Sequence, residues 1–438
     1  MIFKRKLYDK LLVWKQQTAG TKALLIEGAR RIGKSTLVEE FAKNEYRSYL
    51  MIDFNKVSDS VISAFNNYMN DLDTFFLILS SEYGVRLYPK ESIIIFDEIQ
   101  QFPKARQAIK YLVADGRFDY IETGSLISIK ENVNDITIPS EERTLLMYPM
   151  DFEEFAWAMN EEPLMAYIRQ CFDKKVPLEQ GIHAKAMLLF RQYMIVGGMP
   201  KSLSAYLENN RSFEMADMEK RDILTLYRND IKKIKSGYRS SVLSIFDQIP
   251  AFLSRSERRV VMNRIEKGAS FPKYHDTFFW LSDSMIANEC FNCSDPNVGL
   301  SLNEDRTYVK CYMGDTGLLI SHTFDENEIS DGELYREILL GKLSVNEGMF
   351  YENVIAQMLV AAGHKLYFYT RYNQEKHRND MEIDFILSNH SKLRYKIFPI
   401  EVKSNDKYSI RSLTRFNESF RQRIGGSYVT VSYTHLTL

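Results

Sequence analysis

Residues 22–45 read KALLIEGARRIGKSTLVEEFAKNE, and the order of signals within them decides the fold of the first third of the chain. Lys22 to Gly28 is a short apolar run closed by glycine, the pattern of a buried strand. Leu37, Val38 and Phe41 then recur at helical spacing on one face. Between strand and helix lies Gly28-Ala29-Arg30-Arg31-Ile32-Gly33-Lys34-Ser35, which matches G-x-x-x-x-G-K-[ST]. Glycine at both ends lets such a loop wrap closely enough for its backbone N–H groups to point at phosphate oxygens. The positive end of the following helix adds to the attraction. On this pattern Gly28, Ala29, Arg30, Arg31, Ile32, Gly33, Lys34, Ser35 and Thr36 form a nucleotide-binding segment. Lys34 would reach the β- and γ-phosphates of ATP, and the Ser35 hydroxyl would coordinate Mg2+.

Further along, SYLMIDF, SIIIFDE and DYIETGS read as strands separated by helical periodicity. Near-continuous apolar strands alternating with helices describe a parallel sheet covered on both faces, here an α/β P-loop NTPase domain over residues 1–158. Asp97 and Glu98 end the most apolar strand. Asp97 would hold Mg2+ through water, while Glu98 would orient and activate the attacking water. The next strand ends in Thr123-Gly124-Ser125, and either hydroxyl is placed to sense the γ-phosphate. Arg143 is a candidate finger for charge that develops in the transition state, with a plain surface arginine as the alternative.

Composition narrows the rest. Of 438 residues, 45% are hydrophobic and 26% charged, ordinary globular proportions that exclude a disordered chain. Lys plus Arg total 57 against 58 for Asp plus Glu, a net charge of -1. That excludes a dedicated nucleic-acid coat protein, though not a local basic patch. The opening MIFKRKLYDKLLVWKQ lacks the apolar centre of a secretory signal, and no stretch approaches a bilayer-spanning run. Four cysteines exclude a disulfide scaffold and, with no signal, point to the cytoplasm. Cys290 and Cys293 form a lone CxxC with Cys311 beyond, too few ligands for a closed zinc site.

From about Trp157 long helical periodicity takes over, broken at VGGMP (Val196 to Pro200), so a mainly helical region is expected over 159–345. Lys220, Arg221, Arg228, Lys232, Lys233 and Lys235 gather basic charge, as does the stretch from Arg255 to Lys267. Both read as solvated helix faces or as a surface for the phosphates of double-stranded DNA. Residues 238–320 have the size of a winged helix. A small α/β domain is expected over 346–430. There, alternation puts Glu382 with Asp384 on one strand face and Glu401 with Lys403 on another, with Pro399 at the strand start. An Asp followed by Glu-x-Lys is the arrangement of restriction-type nucleases. Asp384 and Glu401 would bind a second divalent ion, and Lys403 would steady the developing phosphorane charge. From spacing alone, an alternating strand with a solvated ion pair reads equally well.

GARRIGKST resembles the G-x-R-x-x-G-K-[ST]-T loop of a family of prokaryotic AAA+ ATPases. FDEIQQFPKARQAIKYLVADG is similar to the family's DEIQ-containing segment, and TGSLIS to its sensor segment. YPMDFEEF resembles the P-L-S-F-x-E-F block that closes the family's ATPase domain. VGGMPKSL, KCYMGDTGLL, GMFYENVIAQML and IEVKS then follow in the family's order, so the resemblance runs over essentially the whole chain. It implies ATP binding, hydrolysis and a C-terminal half that ends in a nuclease-like, restriction-endonuclease-type fold. Within that fold Glu352 resembles an extra acidic residue of the site. Members usually carry Gly-Arg before the P-L-S-F block, whereas Glu142 precedes Arg143 here.

VSYTHLTL, residues 431–438, continues no pattern and is what the end of a transposase-based sequencing adapter encodes in frame. Residues 431–438 are therefore expected to be foreign, with the native chain cut near Thr430. The whole reads as an ATP-dependent machine or switch. An ATP-gated DNA nuclease and a scaffold that binds ATP without chemistry stand as alternatives. A homo-oligomer is among the assemblies expected, and a membrane partner is not.

Overall fold

Every residue of β1 (Ala23–Glu27) and of β3 (Ser92–Asp97) is buried, as unbroken apolar runs require when a sheet is covered on both faces. In the computed structural model, the described residues are 1–125, 139–234, 239–255, 258–260, 271–297, 299–325, 332–340, 347–373, 378–389, 396–404 and 408–431. They fall into two compact units, Met1–Tyr148 with Asp283–Met285, and Pro149–Ser282 with Ile286–Leu438.

In the first unit β1 and β3 join β2 (Ser48–Asp53), β4 (Asp119–Gly124) and β5 (Glu142–Leu146) in a five-stranded sheet of order β2-β3-β4-β1-β5. All four pairings are parallel. Alternation sends Leu25, Ile52, Ile94, Phe96 and Tyr120 into one core. That core is shared with apolar residues of α3 (Asp59–Asn67), α4 (Leu72–Tyr83) and α5 (Pro103–Asp115). α2 (Lys34–Glu45) packs on β2, β3 and β4, and its Phe41 meets Tyr8 and Trp14 of α1 (Lys6–Gln17). Because β4 lies between β1 and β3, its tip is held between the end of the loop strand and the end of the acidic strand.

The second unit holds helices and two sheets. β6 (Ala287–Cys293), β7 (Glu304–Met313), β8 (Leu366–Asn373) and β9 (Arg378–Ile383) form one sheet of order β7-β6-β8-β9. β10 (Phe385–Asn389), β11 (Lys396–Lys403) and β12 (Tyr428–Val431) form a mixed three-stranded sheet. This arrangement corrects several expectations. The β6–β7 hairpin shares its sheet with β8, so it is not part of a separate winged-helix unit, and the division at 345/346 cuts through that sheet. Asp384 does not continue the strand of Glu382; it is the break between β9 and β10. Pro399 lies inside β11, opposite Ile386, rather than at the strand start. Val431, assigned above to the foreign tail, ends β12 opposite Lys403, and residues 432–438 lie outside the described residues.

Three motifs of the second unit interlock. Gly197 has φ +81°, and a Cβ there would come 2.3 Å from Asp315 Oδ1, so only glycine fits. The Gly198 N–H donates to Asp315 Oδ2 at 2.6 Å, and Asp315 Oδ1 accepts from the Leu318 N–H at 3.0 Å, capping the helix Thr316–Thr323. Gln357, on the helix Gly348–Ala361, donates to Asp315 at 3.0 Å and accepts from the Thr316 N–H at 2.8 Å. VGGMP, KCYMGDTGLL and GMFYENVIAQML are thus one packing unit. The same unit takes residues 149–158 from the first: Met150 N–H donates to Gly198 O at 2.8 Å, and Tyr193 OH donates to Met150 O at 2.8 Å. The compact boundary therefore falls inside YPMDFEEF, at Tyr148, ten residues before the sequence-based boundary at 158. Among the described residues no helix is long and apolar enough to cross a membrane.

Candidate functional site

Gly28 to Ser35 connects β1 to α2 and is shaped by steric necessity. A Cβ on Gly28 would approach both Ile32 Cδ1 and Met147 O to 2.4 Å. Gly33 caps α2 at φ 90°, and Arg31 also takes a left-handed conformation at φ 68°. Lys34, only 6% exposed, donates from Nζ to the carbonyls of Gly28 and Ala29, both at 2.9 Å. Burial pushes its pKa down to about 8, against the pull of Glu98 and Asp97. The ammonium is therefore folded onto its own loop, with neutral partners that an incoming phosphate could replace.

Ser35 Oγ donates to Asp97 Oδ1 at 2.7 Å, and the Thr123 hydroxyl donates to the same oxygen. Thr123 Oγ1 also accepts from the Glu98 N–H at 3.4 Å. Burial raises the Asp97 pKa while these two hydroxyls lower it. Of the two hydroxyls named from sequence, Thr123 is the one bonded to Asp97, and Ser125 lies half-buried one residue past β4. Glu98 sits just beyond β3 at φ 55°, a left-handed backbone that costs energy for a non-glycine residue, and its carboxylate accepts from the Gln100 side chain. Ser35, Asp97, Thr123 and Glu98 thus come together at the C-terminal edge of the sheet, beside the Lys34 loop. Oxygen donors beside a loop with no room for a Cβ at Gly28 fit a nucleotide phosphate with a Mg2+ ion.

Arg143 is not brought to this edge. It is exposed on β5 opposite Leu24, roughly 13 Å down the strand from Gly28 at about 3.3 Å per residue. Sequence reasoning also missed a buried cluster behind the sheet. Arg106 of α5 forms a bidentate pair with Glu142, at 2.8 and 3.0 Å. Glu122 of β4 is fully buried, and burial together with the nearby Glu142 raises its pKa well above the carboxylate range. The available signal was Glu122 itself, an acid in the middle of the buried strand DYIETG. Glu142, the departure from the family's Gly-Arg, is the partner of Arg106.

In the second unit the acids named from sequence gather around a residue that was not. Lys310 Nζ, on β7, lies 3.1 Å from Glu352, 3.2 Å from Glu382 and 3.8 Å from Asp384. Arg258 pairs with Glu352, and Tyr312 OH donates to it. Asp384 Oδ2 accepts from the Val402 N–H at 2.8 Å. Glu401 is nearly fully buried and pairs with Lys403 at 2.5 Å; burial raises its pKa, with Asp384 adding to the shift. Among the described residues no three acidic, histidine or cysteine side chains form a cluster that could hold a metal ion. The carboxylates expected to hold a second divalent ion therefore do not fit it as they stand. Cys290, Cys293 and Cys311 are buried thiols, each pushed upward by burial.

The basic stretch is mostly spent internally. Lys220 is fully buried and donates to Ile195 O at 2.6 Å, which removes it from any DNA surface. Arg221 binds Asp217 at 2.7 Å, and Arg228 binds Asp325 at 2.7 Å and Asp247 at 3.1 Å. Lys232 and Lys233 remain exposed; Lys235 and residues 261–267 lie outside the described residues.

Residues 20–156 match a family model described as an AAA domain, which spans β1 to β5 and the loop at Lys34. Residues 187–328 and 347–435 match models described as domains of unknown function, DUF8612 and DUF4143. No curated protein matches. Among solved structures, the chain is similar to the Thermotoga maritima RuvB Holliday junction branch migration motor at 11% identity and TM-score 0.27, over 67% of this chain and 90% of that one. It is similar to Cdc6p from Pyrobaculum aerophilum at 11% identity and TM-score 0.25, over 74% and 93%. AMPPCP-bound DnaA from Aquifex aeolicus gives 11% identity and TM-score 0.24, over 65% and 90%.

Proposed function

We propose that the protein is a Mg2+-dependent ATP hydrolase that works as a nucleotide-driven switch. The observation that carries this reading is the 2.7 Å bond from Ser35 Oγ to Asp97 Oδ1. It joins the loop to the acidic strand end across the tip of β4, which supplies Thr123 to the same oxygen. Lys34 would exchange its two carbonyl partners for phosphate oxygens of ATP, gaining charge-assisted bonds. Ser35 and Asp97 would hold Mg2+, which when bound neutralises phosphate charge. Glu98 would accept a proton from the attacking water, and Thr123 would keep Asp97 and the Glu98 backbone in register with the loop. The exposed position of Arg143 supports a role toward the site of another copy, in a homo-oligomer.

Phosphate release from ATP, measured beside ATP binding, tests this. Glu98→Gln should keep binding and lower turnover by about 10²–10⁴-fold, the usual contribution of a positioned general base. Equal turnover in wild type and variant would leave ATP binding without the proposed chemistry. Double-stranded DNA enters this reading through Lys232 and Lys233. If they contact phosphates, reversing both charges should flatten the fall of DNA affinity with salt. An ATP-gated nuclease is supported by the convergence of Glu352, Glu382 and Asp384, and opposed by the lysine at their centre.

A further inference from the structure

We infer that the ammonium of Lys310 takes the place a divalent cation would need among Glu352, Glu382 and Asp384, so that these three acids are balanced without metal. The geometry of the carboxylates carries the inference. Glu352 comes from the helix Gly348–Ala361, Glu382 from β9, and Asp384 from the break before β10. These three separate elements turn acid groups toward one point, and Nζ of Lys310 occupies it at 3.1, 3.2 and 3.8 Å. The ammonium donates to Glu352 Oε1 and holds Glu382 and Asp384 at ion-pair distance. A divalent ion with oxygen ligands at about 2.0–2.6 Å would need the same oxygens and the same space.

The side chain is held there by more than charge. Lys310 is buried, reaches in from β7, and passes 5.0 Å from the centroid of the Phe368 ring. Most of the remaining acceptors are also taken, although Glu401 Oε2 is buried with no hydrogen-bond partner among the described residues. Glu352 takes Arg258 and the Tyr312 hydroxyl, Asp384 takes the Val402 N–H, and Glu401 takes Lys403. A metal entering the natural chain would have to displace a buried cation and leave it uncompensated, which is strongly unfavourable. The constellation thus serves as a fixed joint between β7, the 348–361 helix and β9. This inference is independent of ATP hydrolysis, so failure of either leaves the other standing.

The probe is Mn2+ added to the full nucleotide-free chain, read by the loss of free Mn2+ signal and by the thermal unfolding midpoint. Wild type should show no Mn2+ binding that Asp384→Asn removes. Lys310→Ala should be less stable, should bind Mn2+ roughly tenfold or more tightly than wild type, and should regain stability as Mn2+ is added. Adding Asp384→Asn to that variant should abolish the gain. If Lys310→Ala does not fold alone, recovery of folded protein by Mn2+ gives the same support. If it does not fold even then, the Lys310→Gln/Glu382→Gln pair, which removes one charge of each sign, decides by the same readings. Wild-type binding that Asp384→Asn abolishes overturns the inference. So does a folded Lys310 variant that is indifferent to Mn2+.

Discussion

Lys34 and Lys310 are both buried lysines within reach of carboxylates, yet their partners differ in kind. Among the described residues Lys34 bonds to two backbone carbonyls of its own loop, and burial weakens its hold on a proton down to about pH 8. Lys310 meets three carboxylates from three elements. A cation with neutral partners is left with charge to offer, and an incoming polyanion can collect it. A cation saturated by acids has nothing to offer and instead fixes the frame around it. The first environment suits a site that works by exchange, the second a site that works by staying closed.

The contrast can be broken most forcefully by removing each lysine in turn. Lys310→Ala should lower unfolding free energy by about 3–5 kcal/mol, because it removes a buried cation from the fully buried Glu352 and the partly buried Glu382 and Asp384, and should not change ATP affinity. Denaturant titration beside ATP titration reads both. Lys34→Ala should do the reverse, lowering ATP affinity by roughly 10²-fold as charge-assisted bonds to phosphate are lost, with little cost to folding. If the two variants gave the same pattern, the distinction between exchanging and closed lysines would collapse.

A smaller effect sharpens it within the first unit. Glu142→Gln should cost about 1–2 kcal/mol of stability by weakening the buried pair with Arg106, again without loss of ATP binding. The smallest concerns pH. Burial raises the Glu289 pKa from 4.5 to about 7, with Lys365 and Arg306 acting in the opposite sense. The folded state therefore keeps a proton that the unfolded chain has already lost, and this contribution to stability fades as pH rises through about 7. Glu289→Gln should flatten the decline of the unfolding midpoint between pH 5 and pH 7.5, as calorimetry at several pH values would show.

How much of this could be read from the amino acids depended on the distance over which each feature is decided. The loop from Gly28 to Ser35, the Asp97 strand end and the strands of the first sheet are local patterns, and the structure brings Ser35, Asp97 and Thr123 together from them. The β7-β6-β8-β9 sheet is different: Cys290 pairs with Leu366, a parallel partnership that no local periodicity reveals. Lys220 looks in sequence like its exposed basic neighbours, and only the packing of its helix against Ile195 buries it. Lys310 sits in KCYMGD, a stretch read as a family motif, while its acids lie 42 and more residues further on. Charge balance across such distances is a property of the folded chain.

The seating of Met150 on Gly198 bears on how the protein can be taken apart. A fragment ended at Ala158, where the sequence motif closes, would carry Phe152 and Phe155 away from Tyr193, whose ring lies 5.7 and 5.3 Å from theirs. Those rings would then meet water and invite self-association. A fragment ended at Tyr148 would keep the whole five-stranded sheet and leave both phenylalanines with the partner they pack on. Ten residues at a junction would thus decide whether two apolar rings leave with the sheet or stay with the ring they pack on.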